Sequence, residues 1–459
     1  RDDLKLKGAG SLTVTGNTED GIVCKNDLKV YNGTITVNAV DDGIRGKDSV
    51  TIGNASNTDF SDLNVTVVTN GDGIKASNDD EAGEGTVTIN GGTISLNVLY
   101  DGIQAVSDVT VNGGTLDIYT FDGHTYTGTS GSSSSSSGQG GFSGGWGGGG
   151  FNDSDGNANK VENSAKGIKS DGTLNILGGT INIDSSDDAL HCGGNLNLFG
   201  GTMTLASADD AVHSDATLTI GNNSNTFDDV KVYASYCYEG IEGYDIIQNS
   251  GTVVINSADD SYNAACGDDD GNMGGGGWSG NSSSSHGSTH TLQIKGGIAL
   301  ANAEDGDHDG FDSNGTLTIS GGYAISNGSD TFDSDNTLSY TGGVFVAEGS
   351  VSLSTTVSAS GVGASAGTRI TLADTSGNVI VSFIADKSVS TLNAGCSDSS
   401  AVFYTGGTIS GGTLLTEGFG TQSIYVDGTI SGGTQLSSSG GGNSSWGGNS
   451  GGFGGNGGR

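Results

Sequence analysis

The sequence predicts an all-β chain, a parallel β-helix of about 11 rungs of roughly 22 residues, with Gly-rich loops and a small C-terminal β-domain. Three observations point there: short alternating strands, an acidic motif recurring at a fixed period, and turns built from glycine without proline. Segments such as LTVTG, TITVN, TLNIL and TLTIG alternate apolar with polar residues and stop at Gly or Asn, as half-buried strands do. The 459 residues include 86 glycines and no proline, and GGT recurs as the turn between strands. A hydrophobic content of 32% is low for one thick core and adequate for a narrow one.

The repeat is read from its acids. EDGIV at Asp20 returns as DDGIR at Asp42, GDGIK at Asp72 and YDGIQ at Asp101. AKGIK at Lys166, DDALH at Asp188, DDAVH at Asp210, YEGIE at Glu239 and DDSYN at Asp260 continue the series, and DGFD at Asp309 and DTFD at Asp330 close it. Undisturbed neighbours stand 21 or 22 residues apart, and two longer intervals hold similar inserts, IGNASNTDF at 52–60 and IGNNSNTFDD at 220–229. Each period has room for about three strands, which is one rung of a parallel β-helix. The residue two places after each acid (Ile22, Ile44, Ile74, Ile103, Ile168, Leu190, Val212) is expected to point inward and build the core.

Stacking rungs at ~4.8 Å turns the acids into a column. Like charges at that spacing repel by about 1 kcal/mol in water and roughly 3–4 kcal/mol at an effective dielectric of 20. Raised carboxyl pKa values, basic neighbours or hard cations could each relieve this, and oxygen-only ligands favour Ca²⁺. The expected calcium ligands are Asp20, Asp42, Asp72, Asp101, Asp188, Asp210 and Asp260, with the adjacent Asp41, Asp187, Asp209 and Asp259. EDGDHDGFD adds Asp305, Asp307 and Asp309 in D-x-D-x-D-G spacing, without the twelfth-position acid of an EF-hand.

Three residues beyond each column acid lies a second outward position. It holds Arg45, Lys75, Gln104, Lys169, His191 and His213 before turning acidic at Glu242, Asp312 and Asp333. A basic stripe beside a calcium-loaded acidic stripe would suit an acidic or polyhydroxylated sugar chain, and it would equally serve only to neutralise the aspartates. Lys166 interrupts the acid column with Lys169 beside it; a polysaccharide lyase would place its base there, whereas surrounding carboxylates would make Lys166 an internal counter-ion.

Low-complexity Gly/Ser stretches at 128–160 and 267–288, and a tail from 437 to 459, contain all three tryptophans, Trp146, Trp278 and Trp446. Trp146 and Trp278 are candidates for stacking on sugar rings, and Trp446 for contact with a neighbouring molecule. The period is lost near 345, so 1–344 reads as the β-helix and 345–436 as a β-domain capping its C-terminal end. The formal charge of −37 excludes a nucleic-acid partner. No apolar run reaches 18 residues, so no membrane span is expected. A start at Arg1 without an apolar leader fits a processed, secreted chain. Five cysteines cannot all pair within the chain, and Cys24 and Cys192, alike in position, suggest stacked core residues.

The DDGI-type rungs, GGT turns, Gly-rich loops and FYTGGTISGG segment resemble clostridial calcium-binding, cellulose-binding β-helix proteins related to polysaccharide lyases, over roughly residues 8 to 436. The resemblance implies a secreted right-handed parallel β-helix with surface calcium and affinity for plant cell-wall polysaccharide. It places calcium at Asp42, Asp72, Asp101, Asp188 and Asp210, with Asp41, Asp187 and Asp209. The tryptophan-bearing loops and tail depart from that pattern. Three functions follow as expectations: a non-catalytic, calcium-stabilised carbohydrate-binding protein of the cell surface, a self-assembling subunit of an extracellular fibre, and a calcium-dependent lyase.

Overall fold

The computed structural model describes residues 3–126, 165–222, 227–265, 289–304, 306, 308–328 and 331–437. Within them the chain is all-β, with one 3₁₀ turn at Gly123–Thr125 and a 32-stranded sheet whose pairings are almost all parallel. Three ladders make up this sheet. The first joins Ile22–Cys24, Ile44–Gly46, Ile74–Ala76, Ile103–Ala105, Ile168–Ser170 and Leu190–Cys192, and runs on to Tyr262–Ala264 and Phe311–Ser313. The second starts at Leu4–Leu6 and Asp27–Val30, and the third at Ser11–Gly16 and Gly33–Ala39. Successive repeats therefore pair with one another in parallel, as in a solenoid.

Burial follows the alternation of the strands. Ile22, Ile44, Ile74, Ile103, Ile168, Leu190 and Val212 lie opposite one another in register and all belong to one core cluster. Each such side chain, fully buried, stabilises the fold by about 1.5–3 kcal/mol relative to exposure. Toward the C-terminal end this column becomes aromatic, where Tyr262, Phe311 and Phe332 stack at 4.7 and 5.0 Å. Cys24 and Cys192 lie in one row of the first ladder, and the four described cysteines are buried.

The outward face of the third ladder changes character along the stack. One row reads Thr36, Thr66, Ser95, Asp117, Asn182 and Thr204 in register, and then turns to Tyr233, Val254, Leu300, Ile325 and Val346. From Val254 onward the row is buried under a second core cluster built with Ile370, Leu372, Val381, Phe383 and Phe403. Those residues come from a six-stranded antiparallel sheet formed by the C-terminal segment. Val389–Gly395 also pairs antiparallel with Val344–Ala347, the last parallel strand of the third ladder. The C-terminal segment thus covers that edge and half of one flank, and the neighbouring half stays open.

Candidate functional site

The column acids are tied together by backbone. The amide of Asp42 donates to a carboxylate oxygen of Asp20 at 3.2 Å, that of Asp72 to Asp42 at 3.1 Å and that of Asp101 to Asp72 at 2.9 Å. The Lys166 amide donates to Asp101 at 2.8 Å, the Asp210 amide to Asp188 at 3.1 Å and the Asp309 amide to Asp260 at 2.5 Å. Each of these carboxyls accepts from the amide of the next repeat, a bond that offsets part of its desolvation. Sequence patterning raised three remedies for stacked charges; this backbone bond is a fourth.

The second outward column supplies the countercharge. Arg45 lies 2.6 Å from Asp20 and 3.8 Å from Asp42, and Lys75 lies 2.5 Å from Asp72 and 3.6 Å from Asp42. Lys166 is buried with its ammonium 3.0 Å from Asp187 and 2.7 Å from Asp188. One lysine between two adjacent carboxyls divides their behaviour. Asp188, also held by His191 at 2.8 Å, stays well below the usual carboxylate range through its cationic neighbours, despite full burial. Asp187 is pushed up to about 7 by burial and by the charge of Asp188. The nearby carboxylates raise the Lys166 ammonium above its ordinary range, as suits an internal counter-ion. Lys169 stands beside Gln104 and His191 in the same register, half-buried.

His191 and His213 stack with ring centroids 4.9 Å apart. His213 is completely buried among Asp210 at 2.9 Å, Asp215 at 3.0 Å and Glu242 at 3.2 Å, and these bonds raise it well above 6.5. A side chain so enclosed cannot touch a polymer, which corrects the expectation that His213 faces a sugar chain. Arg45, Lys75 and His191 are likewise engaged with the acid column.

The groups of acids that could hold a cation differ along the column. Asp20, Asp41 and Asp42 converge, as do Asp187, Asp188 and Asp209, but Arg45 and Lys166 already sit against these groups. Asp309, Asp312 and Asp333 also converge, and there the second column is itself acidic. Burial pushes Asp312 up to about 6 and Asp260 up to about 8, and Asp259 pairs with His308 at 2.6 Å. Asp305 and Asp307, and Trp146, Trp278 and Trp446, lie outside the described residues.

A second feature lies on the open half of the third ladder. A groove of about 490 Å³ crosses its outward face, lined by Ser95, Asn97, Asp117, Tyr119, Asn182 and Asp184, among others. Strand alternation turns these side chains outward, and parallel register sets Asn97, Tyr119 and Asp184 in one row with Ala206 and Tyr236 beyond. The chain leaves Thr115–Thr120 through Phe121 and folds back so that His124 reaches Asp184, by its amide at 2.7 Å and its ring at 2.8 Å. Gly123 permits this return, because a Cβ there would lie 2.4 Å from the Asp184 carboxylate at a positive φ. Asn182 donates to Asp117 at 2.7 Å. Tyr119 and Tyr236 are 38% and 45% exposed, enough to offer a ring face. Among the described residues lining the groove there is no lysine or arginine.

Residues 1–211 match a family model described as carbohydrate-binding domain-containing protein. A curated relative from Acetivibrio thermocellus, with the same description, is 54% identical over 39 residues, or 8% of this chain and 14% of the relative. No solved structure matches the chain. All the groove residues except Ser235 fall inside the matched 1–211. No sequence motif marked them, since they occupy ordinary outward positions of separate strands.

Proposed function

We propose that the chain is a secreted, non-catalytic carbohydrate-binding protein of the cell surface, its ladders wound as a right-handed β-helix, and that it holds a neutral, cellulosic polysaccharide along the open face of the third ladder. The observation that carries this reading is the groove itself: exposed Tyr119 offers a face to a sugar ring, and Asn97, Asn182, Asp117 and Asp184 offer hydroxyl partners, with exposed Tyr236 next along the same row. Its charge favours a neutral glycan over an acidic one. A uronate chain would meet Asp117 and Asp184 with no lysine or arginine among the described lining residues, on a chain of formal charge −37.

Calcium belongs to the same proposal as a stabilising ion. The acid-rich end at Asp260, Asp309, Asp312 and Asp333 fits a hard cation better than the Arg45, Lys75 and Lys166 stretch, where side-chain cations already balance the acids. Self-association into fibres is the second reading. It is favoured by the strand Ser11–Gly16, which pairs on one side only among the described residues and leaves Leu12 38% exposed.

Native electrophoresis through gels containing hydroxyethyl cellulose or polygalacturonate tests the first reading. Retardation in the cellulose gel, weakened about tenfold in apparent affinity by Tyr119→Ala, is the expected result. Retardation by polygalacturonate alone, or an unaltered Tyr119→Ala variant, would overturn it.

A further inference from the structure

The open face does not run the length of the molecule, and where it stops there is a cavity. Beyond Ala206 the groove row reaches Tyr236, which with Tyr233, Asn256 and Asn302 lines a cavity of about 160 Å³ closed on the other side by Asp386, Thr421 and Gln422 of the C-terminal segment. The two outward rows of the third ladder behave differently at this boundary. One becomes apolar at Val254, Leu300 and Ile325 and is sealed into the second core. The other stays polar beneath the covering segment: Asn302 donates to Asn256 at 2.9 Å, and Asn327 to Asn302 at 3.2 Å. The row thus passes from the open groove through Ala206, where His124 lies between Asp184 and Tyr236 with its ring 5.3 Å from that of Tyr236, and polar side chains resume in the covered cavity beyond.

The roof is held in place. Gln422 is locked to the backbone of Ile384 through bonds of 3.2 and 2.8 Å, and Arg369 grips Ser423 through its carbonyl at 3.1 Å and its hydroxyl at 2.5 Å. Tyr233 stacks on Phe419 at 5.3 Å, so the wall and floor of the cavity are packed together. A polymer lying in the groove and extending in this direction meets a fixed wall at the C-terminal segment.

We propose that the groove is blind at this end and receives the terminus of a neutral polysaccharide chain, its last sugar unit occupying the cavity beneath Thr421 and Gln422. The inference rests on the sugar-binding reading and adds to it that chain ends are recognised in preference to chain interiors. The cavity offers that unit Tyr236 as a ring face, and Asn256, Asn302, Glu304 and Asp386 as hydroxyl partners.

The test measures calorimetric affinity for cellohexaose, for the same oligosaccharide blocked at its reducing end, and for it blocked at its non-reducing end. Thr421→Trp obstructs the cavity from an exposed position, and Tyr119→Ala impairs the open groove. The expected result is that one blocked form, and the parent sugar on Thr421→Trp, lose about tenfold or more in affinity while the other blocked form binds as the parent does. If both blocked forms and Thr421→Trp match the parent while Tyr119→Ala weakens binding, the blind end is refuted and the sugar-binding groove stands. If no form binds the unaltered protein, both ideas fall together.

Discussion

At Lys166 the acid column changes its means of balance. Before it the acids are met by Arg45 and Lys75 from the outer column; at Lys166 the cation enters the acid column itself and lies buried against Asp187 and Asp188. Removing one partner of a buried pair leaves an uncompensated charge and costs about 3–5 kcal/mol. Lys166→Met is therefore expected to lower stability by that amount, read as a lower midpoint in urea unfolding. Adding Asp188→Asn to Lys166→Met is expected to recover part of the loss, because the residual carboxylate charge is what destabilises the single variant. Equal midpoints for Lys166→Met and the unaltered chain would show that the pair is not buried as described. The doubled aspartates make sense at this scale: Asp188 carries the charge, and Asp187 titrates near 7.

At the scale of the element, what the sequence disclosed depended on how local the signal was. The acid, the glycine after it and the inward Ile fall within five residues and recur, so the first ladder and its register could be read directly. The glycines of that motif have a physical reason. A Cβ on Gly43 would lie 2.2 Å from Val67 Cγ1 and 2.7 Å from the Gly73 carbonyl oxygen. Gly43→Ala is accordingly expected to destabilise by about 1–3 kcal/mol through overpacking, measured by chemical denaturation, whereas Gly83→Ala, which meets nothing within 4 Å, tests only its positive φ. The groove was hidden because Asn97, Tyr119 and Asp184 are ordinary outward residues of separate strands, joined only by register. Its roof did leave a trace. TVVINS and IALANA lack the polar alternation of TISLNV, and such continuous apolar runs mark strands buried on both faces. Read that way, they place a covering element on the third ladder from residue 252 onward, which composition alone could not do.

At the scale of the whole molecule, the buried carboxyls set how stability depends on pH. Burial pushes Asp101 and Asp187 up to about 7, Asp260 and Glu348 up to about 8, and Asp312 up to about 6. Unfolded, such groups lose their protons near 4. Between about pH 4 and pH 8 the folded chain therefore binds more protons than the unfolded one, and stability falls as pH rises through that window. His213 acts in the same direction: its pKa is raised in the folded state, so its contribution is complete below about 6.5 and is lost as pH climbs through the folded value. Asp188, held low, works the other way, its contribution being lost only as the pH falls below about 4. A hard cation binds only the ionised carboxylates, so it should reverse the alkaline loss and do little near pH 5. In chelator, the thermal midpoint is expected to fall steadily from about pH 5 to pH 8; with millimolar calcium the curve should flatten, chiefly at its alkaline end. Midpoints that rise toward pH 8 in chelator would contradict the raised carboxyl values. A calcium increment equal at both ends of the range would place the ion away from the Asp260–Asp333 end of the column.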